Sequence, residues 1–201
     1  MRKNVLCTAI VLISAAVTVY AAHRIYQEHS EYREGVDSYS VLETYIKEPQ
    51  TEPIPEESKP EQDEMSENAI TWPVVDFVAL KSINSDCVAW IRIDGTEIDY
   101  PVVQGHDNSF YLKHLFGGEW NGAGCIFLDS HVEPDLSDRH SVLYGHHMKN
   151  GTMFSDIADY KDQTYYENHA TGMILTPTEN YRIEFFAGYV AGADDENAWK
   201  V

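Results

Sequence analysis

Basic residues are scarce in this chain: 14 Lys and Arg stand against 33 Asp and Glu, a formal net charge of -19. Phosphate binding depends on clustered cations, so nucleic acid is excluded as a partner. Acidity by itself speaks only of solubility and self-repulsion. Cysteine is scarcer still, at Cys7, Cys87 and Cys125 with no CxxC pair, so neither a zinc ribbon nor a thioredoxin-type redox site is indicated. Cys87 and Cys125 are expected as buried free thiols, with a disulfide between them as the alternative. Asp129, His131, His140, His146 and His147 fit no standard zinc spacing such as HExxH, and no Gly-rich phosphate loop or Ser–His–Asp arrangement stands out. No metal or cofactor is therefore expected. No internal repeat is visible either. What remains is a length of 201 residues with 43% apolar and 12% aromatic side chains, enough for one cored domain plus extensions.

One long apolar run is present, from Val5 to Ala22 behind Arg2 and Lys3. Its length is at the lower edge of a bilayer-spanning helix, and the positive flank is expected to stay on the cytoplasmic side. Two readings follow. An uncleaved single-pass anchor is favoured because the run exceeds a usual signal core; a signal peptide cut near Val19-Tyr20-Ala21 is the alternative. Either one places the rest of the chain outside the cell membrane.

Residues 24–47 are predicted helical, since Ile25, Tyr32, Val36, Tyr39, Leu42 and Ile46 recur at steps of three, four and seven, with Gly35 as a weak point. Residues 48–69 hold Pro49, Pro53, Pro55 and Pro60 among many Glu, a composition that reads as an extended acidic tether. The domain follows over 70–201. A helix is predicted over Asp76 to Ile83, then strands over Val88–Ile93 and Ile98–Val103 around the turn dipeptide Asp94-Gly95. Further strands are predicted at Cys125–Leu128, Val142–Tyr144, Met173–Thr176 and Ile183–Val190. Short, closely spaced strands with few helices predict a mainly β barrel or sandwich.

The segment Tyr144 to Thr152, YGHHMKNGT, carries the chemistry. An apolar strand ends at Gly145 and delivers His146 to the rim of a sheet, where an imidazole can serve as general acid or base. His147 points elsewhere if the strand pattern persists through it.

With these landmarks placed, the chain resembles the class B sortases, membrane-anchored cysteine transpeptidases of Gram-positive bacteria. The blocks that carry the resemblance stand in the family's order between about Trp72 and Val190. They are Asn84 to Ile91, Asp99 to Gln104 with Asp107-Asn108 and Tyr111-Leu112, Gly124 to Asp129, and Tyr144 to Met148 with Gly151, Met153 and Phe154. The resemblance implies a sortase-type β-barrel with N-terminal helices. It also implies a Cys thiolate that attacks the carbonyl after Thr in the sorting-signal peptide of an exported protein, and a cell-wall precursor or pilin amine that resolves the acyl-enzyme. His146 takes the family's general-acid position, and Asn108 and Leu112 take positions that line its substrate groove.

The family's later blocks, a strand ending in the nucleophilic Cys and a following strand bearing Arg, have no counterpart after Tyr189. The expectation is a barrel incomplete at its C-terminus, short of roughly the last fifth to quarter of a family-sized domain, and inactive by itself. Neither Cys125 nor Cys87 is expected to substitute, because each lies at an apolar position without the electropositive, partly exposed setting that a thiolate needs. Arg139 and Arg182 are the nearest guanidinium candidates, though neither matches the family's block. Two other classes stay open: a non-catalytic sortase-fold module that binds a peptide or partner, and an exported metal-binding domain using the His-rich segment.

Overall fold

In a computed structural model, residues 2–48 and 71–192 are described. Residues 49–70, which take in all but the first residue of the acidic segment read above as a tether, lie outside the described residues, as does the stretch from 193 to 201.

The apolar run and the amphipathic run form one helix, α1 (Arg2–Leu42), rather than two. Gly35 does not break it. That glycine sits where α1 touches the domain, and a Cβ there would lie 3.4 Å from the Ala123 Cβ. From Ile10 onward α1 contains a stretch that is long and apolar enough to cross a membrane and is unburied, whereas Tyr39 and Leu42 near its end enter the domain core. A 3₁₀ turn then leads into β1 (Ile46–Lys47), which pairs antiparallel with β2 (Val74–Val75). The chain thus leaves and re-enters the domain at adjacent points. Helix α2 (Phe77–Ile83) follows as predicted, its start fixed by Asp76, whose carboxylate accepts the Ala79 N–H at 2.9 Å.

One curled six-stranded sheet makes the body of the domain. Its strands are β3 (Cys87–Arg92), β4 (Asp99–Val103), β5 (Ile126–Leu128), β6 (Leu143–Tyr144), β7 (Thr171–Leu175) and β8 (Asn180–Glu184), in the order β6-β5-β4-β3-β7-β8. β3 and β4 form the expected hairpin with Arg92 opposite Asp99, and Gly95 takes the turn position at φ +78° that other residues resist. β4 and β5 are parallel, so residues 104–125 must cross over, and this crossover builds one wall of the site described below. Trp90, Phe127, Ile126 and Leu128 from the central strands join Leu80 and Phe116 in a fully buried core.

Several elements differ from expectation. The helix predicted over 24–47 ends at Leu42, and Ile46 and Lys47 instead form β1, because they pair with Val75 and Val74. The strand predicted over Ile183–Val190 lies instead at Asn180–Glu184. Its neighbour β7 begins at Thr171, and Phe185 N–H to Ala170 O, 2.9 Å, is the last ladder bond, so residues 186–190 have outrun their partner. Helix α3 (Gln163–Asn168) was not predicted, because its polar sequence has no apolar period; Asp162 starts it by accepting the Tyr165 N–H.

Candidate active site

The strand pair β5–β6 sets Phe127 opposite Tyr144, with the two rings stacked at 5.1 Å. Gly145 follows, where any larger residue would force a shift: a Cβ there would stand 2.4 Å from Ile126 Cδ1 and 2.6 Å from Phe154 Cδ2. The next residue, His146, is half-buried, and its Nε2 lies 2.7 Å from the Leu112 carbonyl oxygen. A carbonyl can only accept, so Nε2 carries the hydrogen, and in the neutral ring Nδ1 carries the lone pair. Among the described residues no hydrogen bond engages Nδ1.

The loop after His146 closes on itself. Phe154 N–H donates to the His146 carbonyl at 2.9 Å, His147 bridges Met153, and Gly151 turns the chain at φ +85°. Met153 is buried at φ +59°, an uncommon conformation for that side chain, with its N–H donated to the Tyr100 hydroxyl. His147 is exposed on this loop.

Leu112 ends a 3₁₀ turn, Phe110–Leu112, in the crossover. Tyr111 pins that turn by donating its hydroxyl to Asp86 at 2.8 Å and accepting from Asn84 at 2.9 Å. Gly124 lies directly beneath it, where a Cβ would come within 2.5 Å of the Tyr111 carbonyl oxygen. The carbonyl that holds His146 is therefore fixed by packed backbone. Leu112 does meet the candidate histidine, through its main chain.

Asn108 is placed differently from a free groove residue. Its Nδ2 donates to Asp129 Oδ2 at 2.9 Å and its Oδ1 accepts the Ser130 N–H at 2.8 Å, which clamps the crossover to the end of β5. Asp129 also accepts from the Tyr144 hydroxyl at 2.7 Å and from the backbone and ring of His131 at 2.8 and 2.9 Å. Burial pushes the Asp129 carboxyl up, but these donors outweigh it and hold the group at about 2. It is thus a fixed anion joining the crossover, the 129–132 turn and the strand before His146. The clamp at Asp129 and the use of the Leu112 carbonyl are not legible in the sequence; a backbone acceptor has no sequence signature, and an Asp after an apolar strand reads as an ordinary turn.

Among the described residues no reactive thiol stands at this site. Cys87 and Cys125 are free and buried, and burial pushes each thiol up to about 12. Cys125 Sγ also accepts the Tyr39 hydroxyl of α1 at 3.1 Å. Arg182 lies on β8 beside Glu184, and Arg92 pairs with Glu48, Asp94 and Asp99. Among the described residues no arginine bonds to the His146 wall, and no group of three His, Cys, Asp or Glu is arranged to hold a metal ion.

No protein-family model matches the chain. Sortase B of Listeria monocytogenes serovar 1/2a is 39% identical over 115 residues, 57% of this chain and 47% of that protein. Sortase B of Staphylococcus aureus is 31% identical over 157 residues, 78% of this chain and 64% of that protein. The chain thus spans between about half and two thirds of the length of these curated relatives. The crystal structure of sortase B from B. anthracis superposes with a TM-score of 0.64 at 27% identity, over 85% of this chain and 77% of that one.

Proposed function

We propose, from the premise that this chain is a relative of the class B sortases in both sequence and fold, that it supplies the histidine half of a cysteine transpeptidase site. The substrate is the sorting-signal peptide of an exported protein, cut after Thr, and the acceptor is a cell-wall precursor or pilin amine. A Cys thiol first gives its proton to Nδ1; the resulting thiolate attacks the Thr carbonyl, and the His146 imidazolium protonates the departing amine from Nδ1. The incoming amine then returns its proton to the same nitrogen as it displaces the thiol. Leu112 supports this role by holding Nε2–H, which leaves Nδ1 to exchange protons with substrate. Asn108 and Leu112 border the peptide groove. The chain sits in the cell membrane through α1, with its N-terminus cytoplasmic and its domain outside.

The observation that carries this reading is the half-buried His146 at a strand end, oriented by a backbone carbonyl. The nucleophile is neither Cys87 nor Cys125, since both thiols stay protonated at neutral pH. The chain alone is therefore expected to be inactive. The burial of both thiols favours a second reading, a non-catalytic sortase-fold module that binds a peptide or partner at the cell surface.

One experiment separates the two. The gene is read across the Val201 codon, and its product is assayed with a quenched Thr-containing sorting peptide and an amine acceptor. For the transpeptidase reading, a further strand ending in Cys is expected, together with thiol-dependent ligation that His146→Ala lowers by about 10²–10⁴-fold. A folded product that binds the peptide and leaves it intact establishes the binding module instead.

A further inference from the structure

The dipeptide Asn-Gly occurs twice, at Asn121-Gly122 in the crossover and at Asn150-Gly151 in the loop after His146. Such a pair can react with itself, because glycine leaves its main-chain nitrogen unshielded beside the asparagine side-chain amide. The two pairs share a local turn: Asn121 Oδ1 accepts the Ala123 N–H at 2.9 Å, and Asn150 Oδ1 accepts the Thr152 N–H at 3.4 Å. Their surroundings are what separate them.

Asn121 is fully buried, its Nδ2 donates to the Glu31 carbonyl at 2.9 Å, and Gly122 N–H donates to the Glu31 carboxylate at 3.0 Å. The amide that would leave and the nitrogen that would attack are both held by α1. Asn150 is exposed, and among the described residues no hydrogen bond engages its Nδ2. A Cβ at Gly151 would meet nothing within 4 Å, so the turn is open around it. Gly151 N–H is tied to the Met148 carbonyl at 3.1 Å across this surface turn, a kind of bond that opens locally at little cost. The Thr152 hydroxyl donates to Asn150 Oδ1 at 2.8 Å, which polarises the side-chain carbonyl and stabilises the oxyanion that forms on attack.

We infer that Asn150 is a site of spontaneous deamidation and that the fold protects Asn121 from the same reaction. The Gly151 nitrogen bonds to Asn150 Cγ, the Cγ–Nδ2 bond breaks, and Nδ2 leaves as ammonia with the Gly151 proton. Water then opens the cyclic imide at either carbonyl. The product is aspartate or, where the main chain is rerouted through the side chain, isoaspartate. The new carboxylate lands on a cavity of about 100 Å³ that Asn150 and Thr152 line together with Glu43, Glu97 and Asp99. A fourth negative charge there repels the other three, so conversion loosens the loop after His146 from the end of α1. The inference holds whichever function His146 serves.

The test ages the full chain in detergent micelles, in warm, mildly alkaline buffer made with oxygen-18 water, and maps it by peptide mass. The Asn150 peptide is expected to gain the mass of one water less one ammonia, carrying the heavy oxygen, in separable aspartate and isoaspartate forms. Its conversion should run at least about tenfold faster than that of the Asn121 peptide. Chain aged in denaturant is expected to convert at both pairs alike, which shows that the fold makes the difference. A folded chain that converts at neither pair, or equally at both, overturns the inference. Thr152→Val is expected to slow conversion, and an unaltered rate overturns the part given to that hydroxyl. The Glu43 and His146 amide resonances should move as conversion proceeds; fixed resonances in a converted chain overturn the loosening and spare the site.

Discussion

The two flanks of the sheet are built to different standards. On the β4–β5–β6 side, Val102, Val103, Ile126, Phe127 and Leu128 are all buried, and the loops beyond them are tied by Asn108, Asp129, Tyr111 and Tyr144. On the β7–β8 side, β8 alternates between exposed and half-buried residues, and the chain continues through Phe186 and Val190 with their side chains largely exposed. The flank that carries His146 is thus rigid and finished, and the opposite flank displays apolar surface. A proton-transferring imidazole needs fixed geometry, and this chain concentrates its packing and polar clamps where that geometry is set.

Substitutions can sharpen this contrast. Phe127→Ala removes a fully buried ring under the site and is expected to lower stability by about 3–5 kcal/mol. The same change at Phe186 is expected to cost less than about 0.5 kcal/mol, so paired denaturant titrations read the two flanks directly. Gly145→Ala pushes a methyl into Ile126 and Phe154; a loss of about 1–3 kcal/mol by overpacking is expected, with the His146 resonances displaced. A tolerated alanine with unmoved resonances would show that β6 has slack.

Asp129 gives a smaller effect with a definite sign. Its carboxyl is held at about 2, below the usual carboxylate value. The stabilisation is therefore fully present above about pH 4, and it fades as pH falls toward 2. Asp129→Asn is expected to lose on the order of 1–2 kcal/mol at neutral pH, and its stability curve should converge on the wild type in acid. Parallel curves at all pH values would show that the carboxylate carries no such linkage. A modest effect is expected at Tyr39→Phe, which removes one hydroxyl bonded to Gly124 O and Cys125 Sγ and should cost about 1 kcal/mol in a thermal melt.

Much of the finished flank is legible in the residues. Alternating apolar runs around Asp94-Gly95 mark β3 and β4, and Asp76 marks the start of α2. Tyr144-Gly145-His146 marks a strand end that presents an imidazole. The less regular flank is harder to read, because apolar residues such as Phe186 and Val190 imply a strand by composition while the ladder depends on how far β7 extends. Gly35 reads as a weak point in a helix, yet it permits α1 to approach Ala123. The Leu112 carbonyl is hidden for another reason: every residue has one, and only the crossover decides which of them meets His146.

The most direct test of His146 as a poised acid–base group is its tautomer, read by long-range proton–nitrogen-15 correlation on the neutral ring. The account expects hydrogen on Nε2, bonded to Leu112, and a lone pair on Nδ1. Hydrogen on Nδ1, or rapid averaging between the two nitrogens, would contradict it.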